Sequence, residues 1–252
     1  MTRLQDEETH PALGNFGREA GLAGAHVIQL DAIEAASHPE FTEYFFRRQH
    51  ACYSRFRSEA AAAPHRTRSS WKGVYLIVAT DHTNGEIAGG VGVYERHADA
   101  PMPVELAIGD SDQLQRALSR WAHDRVVELS GLWVEEHWRR TGLSSMLMLV
   151  AMAVAREREA TTAVGFSHQH VLDFYQTIGL VPDHTVGDYP YPDHKYVSTF
   201  IYGDLVGLTT APQESKELIE HFGRSLQTHR DIIWKSVPRQ RTIPQPVVLS
   251  NP

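Results

Sequence analysis

Val127-Glu-Leu-Ser-Gly-Leu-Trp-Val-Glu-Glu-His-Trp-Arg-Arg-Thr-Gly-Leu-Ser-Ser-Met-Leu147 is the stretch whose reading decides this chain. Its opening, with the residue before it, is β-rich and apolar on both faces over 126–134, as expected at the centre of a sheet. A short polar loop follows. Arg139, Arg140, Thr141, Gly142 and Ser144 then lead into an apolar segment that reads as a helix over 141–159. A helix start of this composition is an anion site, because first-turn N–H groups lack partners and the helix dipole adds partial positive charge. Gly142 and the small hydroxyl residues let a phosphate approach the backbone, and the arginines add forked donors. A diphosphate suits such a site. An ordinary helix start beside a solvated arginine pair is the alternative that these residues leave open.

Outward from this stretch, 27–30 reads as a first short strand and 39–57 as a helix with apolar and aromatic residues at helical spacing. Strands over 74–79 and 87–94 flank the turn 81–85 as a hairpin, with Gly89, Gly90 and Gly92 loosening the return strand. A helix over 110–124 is opened by Asp110, Ser111 and Asp112. After the central strand and long helix come a strand at 161–166, a short helix at 169–178 ended by Gly179, and a strand at 195–202. The order predicts an α/β (α+β) domain, a mixed sheet flanked by helices, over 26–205. Residues 1–25 read as a tail. Residues 206–252 read as a helix at 213–226 outside the main domain, then an extended tail with four prolines.

Composition narrows the function classes. The 252 residues are 42% hydrophobic and 22% charged, which is ordinary for a globular chain long enough to bury a core. The net charge of −7 comes without a Lys/Arg block, so nucleic acid is not an expected partner. The longest apolar run, 146–155, is too short to span a bilayer. The single cysteine, Cys52, admits no internal disulfide, and the first residues lack a basic-then-apolar signal pattern. A soluble cytoplasmic protein is expected. Fifteen histidines include no His-x-x-x-His pair or HExxH, so no metal is expected.

Two blocks resemble the GNAT superfamily of acyltransferases. The family's donor signature is Leu-x-Val, a short loop, Arg/Gln-x-x-Gly-x-Gly/Ala and an apolar helix. Leu132, Val134, Arg139, Gly142 and Ser144 match it, with Ser144 in place of the usual Gly or Ala. Further on, His168-Gln-His-Val-Leu-Asp-Phe-Tyr-Gln-Thr-Ile-Gly-Leu180 resembles Asn-x-x-Ala-x-x-x-Tyr-x-x-x-Gly-Phe, matching at Tyr175 and Gly179. The resemblance implies the GNAT fold and an acyl-CoA co-substrate such as acetyl-CoA. It implies that the backbone of Leu132, Trp133 and Val134 holds the pantetheine arm. Arg139, Arg140, Thr141, Gly142, Leu143, Ser144 and Ser145 would hold the diphosphate. An amine would attack the thioester directly, which requires a base for the ammonium proton and an acid for the thiolate.

Tyr175 is the candidate acid, against a packed tyrosine with a structural hydrogen bond. Glu128, a charge in an apolar central strand, is the candidate base if desolvation raises its pKa; pairing with Arg125 or another cation is the alternative. Strand alternation puts Glu128 on one face with Ser130 and Leu132, and Trp133 in the core on the opposite face. His168 and His170 either line the donor channel or act as a base, since imidazole titrates near neutral pH, or are surface or capping histidines. Residues 188–195, rich in aromatics and prolines, form an acceptor-side loop or a rigid turn.

A finer resemblance is to acyl-homoserine-lactone synthases and N-acyl amino acid synthases. It rests on Glu128-Leu-Ser-Gly-Leu-Trp-Val134, Phe45-Phe-Arg-Arg-Gln-His-Ala-Cys-Tyr53 and Met102-Pro-Val-Glu105. These relatives use long acyl chains, often from acyl carrier protein, so that donor is a second expectation. Gly131 stands where they carry Arg, which leaves the acceptor amine open. The competing class is a degenerate GNAT domain that binds acyl-CoA as a sensor or scaffold. The segment 213–252 is a candidate partner or homodimer contact.

Overall fold

The computed structural model describes residues 26–55, 71–121, 124–191, 196–228 and 232–236. The tail 1–25, the end of the predicted helix at 56–57, part of the aromatic loop at 192–195 and the proline-rich tail from 237 lie outside the described residues. Strands β1 (His26–Glu34), β2 (Val74–Asp81) and β3 (Ile87–Glu95) follow one another as antiparallel neighbours. Next to them come β4 (Val126–Val134), β5 (Thr162–His168) and β8 (Val197–Asp204). The short β6 (Val181–Pro182) and β7 (Asp188–Pro190) both pair with β8, and β9 (Ile232–Ser236) pairs with β1. The sheet order is β6-β8-β5-β4-β3-β2-β1-β9, antiparallel throughout except for the parallel pair β4–β5.

Apolar periodicity decides what covers each face. The helix α4 (Leu143–Glu157) is buried almost all round, with Leu143, Leu147, Val150 and Ala151 at 0% exposure. Each such leucine removed from water stabilises the domain by roughly 1.5–3 kcal/mol, which makes α4 the main support beneath β2, β3 and β4. The opposite face is covered in two parts. The helix α1 (Pro39–Ser54) packs Phe45 and Phe46 around Trp71 and Trp133. Two short helices, α2 (Pro103–Ile108) and α3 (Asp112–Ser119), cover Val126, Val164 and Phe200.

Several expectations need correction. The predicted helix at 110–124 is shorter and has a partner upstream: Pro103 at the first turn starts α2, and Ser111 caps α3 by accepting the Leu114 N–H at 3.1 Å. The block 169–178 is a 3₁₀ turn at Gln169–Val171 followed by α5 (Leu172–Thr177). The helix α6 (Gln213–Gln227) does not lie outside the main domain. Its Leu218, Ile219 and Phe222 share the core of α4, and β9 after it extends the sheet beyond β1. The β3 glycines have a packing role that the sequence reading did not give them. A Cβ at Gly90 would stand 2.3 Å from the Phe45 ring, so glycine is there to let α1 sit close to the sheet. Among the described residues no helix is long and apolar enough to cross a membrane.

Candidate functional site

The site forms where β4 and β5 stop pairing. Their parallel ladder joins Val126, Val127 and Glu128 to Thr162, Ala163 and Val164, and ends there. Beyond it the strands diverge around a cleft of about 310 Å³. On the β3 side, Gly90 faces Trp133 while Gly92 faces Ser130, so β4 carries one extra residue. That bulge centres on Gly131, whose φ of +74° is left-handed and favours glycine.

The bulge overturns the predicted alternation, because one inserted residue moves every later side chain to the other face. Glu128 lies opposite Tyr94 in the ladder, and Tyr94 shares the α1 core with Trp133. Trp133 therefore lies on the Glu128 face, with Phe45 at 5.6 Å between ring centroids. Leu132 packs instead toward the α4 core.

The helix α1 holds the bulge in place. Gln49 donates its amide to the Gly131 carbonyl at 2.6 Å, and the Tyr53 hydroxyl donates to the Leu132 carbonyl at 2.9 Å. Just past the strand, buried Glu135 accepts from Arg48 at 2.8 Å and Arg55 at 3.1 Å, tying both ends of this stretch of α1 to the sheet. Gln49 and Tyr53 are site residues that the sequence reading missed; their spacing of four in an aromatic helix was the available signal.

At the inner end of the cleft sits Glu128, 1% exposed. Its carboxylate accepts the Val104 N–H of α2 at 2.7 Å. Burial drives its pKa up to about 8, against the lowering effect of the hydrogen bonds from Val104 and Ser130. No cation pairs with it among the described residues: Arg125 goes to Glu159 at 2.8 Å and Arg96 to Glu105 at 3.0 Å. The desolvated carboxylate is thus what the structure shows, rather than the ion pair.

Tyr175 lines the same cleft from α5, and burial pushes its phenol up to about 12. His168 lines it from the end of β5, with Nδ1 2.8 Å from the Ser198 hydroxyl and its ring stacked on Tyr196 at 4.9 Å. Phe166, Tyr191 and Tyr53 complete the aromatic part of the wall. His170 stacks on His168 at 5.6 Å but is not part of the cleft lining.

The residues expected to form an anion site lie at the start of α4. Arg140 adopts φ +61° and Gly142 φ +93°, which turns the chain sharply into the helix. Gly142 is the N-cap, no side chain caps the first turn, and no acidic residue occupies it. The amides of Leu143, Ser144 and Ser145 precede the first intrahelical bond, which runs from the Met146 N–H to the Gly142 carbonyl. Thr141 donates to the Trp138 carbonyl at 2.6 Å, which holds the turn. Leu143 is fully buried at the first position of the helix. The Arg139 guanidinium turns back toward the Val134 carbonyl and the Cys52 sulfur, while Arg140 stays exposed. No group of three or more His, Cys, Asp or Glu is placed to hold a metal among the described residues.

The sequence profile of the acetyltransferase (GNAT) family matches residues 33–180, more than half of the chain. The chain belongs to that family. It is an N-acyltransferase, and acyl transfer is the chemistry of its fold and motifs. No curated protein sequence matches it. Among solved structures it is similar to BjaI, a CoA-dependent acyl-homoserine lactone synthase, with a TM-score of 0.53 and 14% identity over 78% of this chain and 90% of that one. It is also similar to FeeM, an N-acyl amino acid synthase from uncultured soil microbes, at 0.51 and 10%, covering 75% and 97%. TofI, solved with an inhibitor and MTA, gives 0.52 and 16%, covering 76% and 96%. At these identities the likeness is one of fold.

Proposed function

We propose that the protein moves an acyl group from acyl-CoA to the amine of a small-molecule acceptor by direct attack on the thioester. The observation that carries this is the cleft itself. It opens where β4 leaves β5 and holds a desolvated carboxylate to which no cation among the described residues pairs. A tyrosine stands on another wall of the same cleft. The backbone of Leu132, Trp133 and Val134 takes the pantetheine arm along the diverging edge. The turn from Arg139 to Ser145 takes the diphosphate on uncapped amides.

In the reaction the N–C bond forms at the thioester carbonyl and the C–S bond breaks. Glu128 accepts the ammonium proton, which frees the nitrogen lone pair for attack. The second proton leaves nitrogen as the tetrahedral adduct collapses. One of the two protons ends on the CoA thiol and the other reaches solvent through Glu128. Tyr175 stays protonated throughout the neutral range and donates to the negative charge developing on sulfur.

Donor binding is tested by thermal shift with acetyl-CoA, longer acyl-CoAs and an acyl carrier protein thioester, since ligands of the native state raise its melting temperature. Gly142 sits at φ +93°, so a side chain there would strain the fold; Ser144→Glu is the cleaner variant. A carboxylate in the first turn suits the helix dipole yet repels a diphosphate. The expected result is a CoA-ester shift in the native protein that Ser144→Glu abolishes without a lower melting temperature. An equal shift in both proteins would move the diphosphate elsewhere.

A further inference from the structure

The reaction proposed above strips two protons from nitrogen, and this inference rests on that acyl-transfer reading. Glu128 takes the first. Tyr175 cannot take the second, because burial holds its phenol up at about 12 and it stays protonated. Among the described residues that line the cleft, His168 carries the other group suited to accepting a proton near neutral pH, an imidazole. It ends β5, on the same run of chain that brings Tyr175 to the cleft on α5. The reading as a capping histidine fails. His168 precedes the 3₁₀ turn at Gln169–Val171, yet its side chain makes no capping hydrogen bond there. What its ring does instead is set by β8.

His168 and Ser198 are direct partners in the antiparallel β5–β8 ladder. Ser198 is 1% exposed, with Tyr189 of β7 opposite it on the other side. Its Oγ lies 2.8 Å from His168 Nδ1 and 2.8 Å from the Tyr191 carbonyl. A hydroxyl has one proton to give, and a carbonyl can only accept. That proton therefore goes to Tyr191, so Oγ accepts from His168 and the ring carries its hydrogen on Nδ1. A neutral imidazole so arranged keeps its basic lone pair on Nε2. The ring also stacks on Tyr196 at 4.9 Å and on His170 at 5.6 Å. Gln169 beside it donates to Asp188 of β7 at 2.9 Å. Tautomer and orientation are thus fixed by the protein itself, as a proton carrier requires.

We infer that His168 is a catalytic residue that carries the second proton from nitrogen to the leaving sulfur, with Ser198 as its positioning residue. As the tetrahedral adduct collapses, the N–H bond breaks toward Nε2 and the C–S bond breaks toward sulfur. The imidazolium then gives its proton to the thiolate. The ring ends neutral, and the products are the amide and the CoA thiol.

The test uses the full-length protein with isotope-labelled histidine. Long-range proton–nitrogen NMR in alkaline buffer, where imidazole is neutral, reports which ring nitrogen holds the proton; the signals lost in His168→Gln assign the residue. The native ring is expected to be protonated on Nδ1. Ser198→Ala should move it toward the Nε2–H form, and Ser198→Thr, which keeps a hydroxyl, should restore it. Turnover is read as thiol release from acetyl-CoA or octanoyl-CoA with hydroxylamine, a nucleophile too small to need an acceptor pocket. His168→Gln should lower kcat by about 10²-fold, with KM for the acyl-CoA changed by no more than about twofold. Ser198→Ala should lower kcat by about tenfold and Ser198→Thr should recover it, whereas a serine that only packs would shift the melting temperature and leave the tautomer alone. A native ring protonated on Nε2, or a His168→Gln variant with native kcat, would overturn the inference while acyl transfer stands. A native protein that releases no thiol above the uncatalysed rate would sink the acyl-transfer reading and the inference with it.

Discussion

Replacing Glu128 by Gln should make this protein more stable at alkaline pH while removing most of its activity. In the folded state the carboxyl titrates near 8 rather than at 4.5, because burial penalises its charged form. Between those values the folded protein holds a proton that the unfolded chain has released. Stability conferred by that proton is complete below about pH 4.5 and is lost as pH rises toward 8, after which the loss levels off. One proton corresponds to about 1.4 kcal/mol per pH unit. Over the whole interval from 4.5 to about 8 the ceiling is on the order of 5 kcal/mol. Gln cannot ionise, fills the same space and still accepts the Val104 N–H, so the variant should escape this loss.

Urea denaturation of both proteins from pH 5 to pH 9 reads the effect directly. The two midpoints should lie close together at pH 5 and separate progressively up to pH 8, with the variant the more stable. In parallel, kcat/KM of the native protein should climb with pH to a midpoint near 8, where the free enzyme's base becomes charged. The variant should be slower by about 10²–10⁴, the usual contribution of a positioned base. Denaturation curves that stay parallel across the pH range would show that Glu128 is solvated or paired in solution, and the assignment of the base would go with them.

Two further outcomes follow from the same geometry. Tyr175→Phe keeps the ring and removes the donor to sulfur, so kcat should fall by about 10²-fold with little change in KM or melting temperature; an unchanged kcat would return Tyr175 to a packing role. Gly131→Val forces a β-branched residue into φ +74° and should cost about 1–3 kcal/mol in a urea melt; a variant as stable as the native chain would argue against the bulge.

The strand-loop-helix core of the site was readable because local chemistry writes it. Apolar residues on both faces, then Arg139 to Gly142, then an apolar helix leave few other structures. The bulge was not readable. Ser130-Gly131-Leu132 fits an even strand as well as a bulged one, and the difference is settled by α1, whose Gln49 and Tyr53 bind the displaced carbonyls. With the bulge hidden, the faces of Leu132 and Trp133 came out reversed. The split between α2 and α3 was half visible: Pro103 begins a helix and Ser111 caps another, while the acidic run at Asp110 drew the boundary too late. The placement of α6 depended on the apolar face of Leu218, Ile219 and Phe222, which shows that a surface is buried without saying against what.

The central strand of a sheet is ordinarily its most secure element, and here β4 is where three costs are concentrated. It gives up its ladder with β5 after Glu128, holds Gly131 in a left-handed conformation and buries a carboxylate that pairs with no cation among the described residues. None of these improves the fold. What permits them lies on either side. Below, α4 buries nearly every side chain it has; above, Glu135 binds Arg48 and Arg55 while Gln49 and Tyr53 hold the bulge carbonyls. The helix α1 is therefore more than a cover for the sheet. By binding the two carbonyls at Gly131 and Leu132, it holds β4 in the bulged course that runs beside the cleft, and the costs gathered in β4 are met by the elements around it.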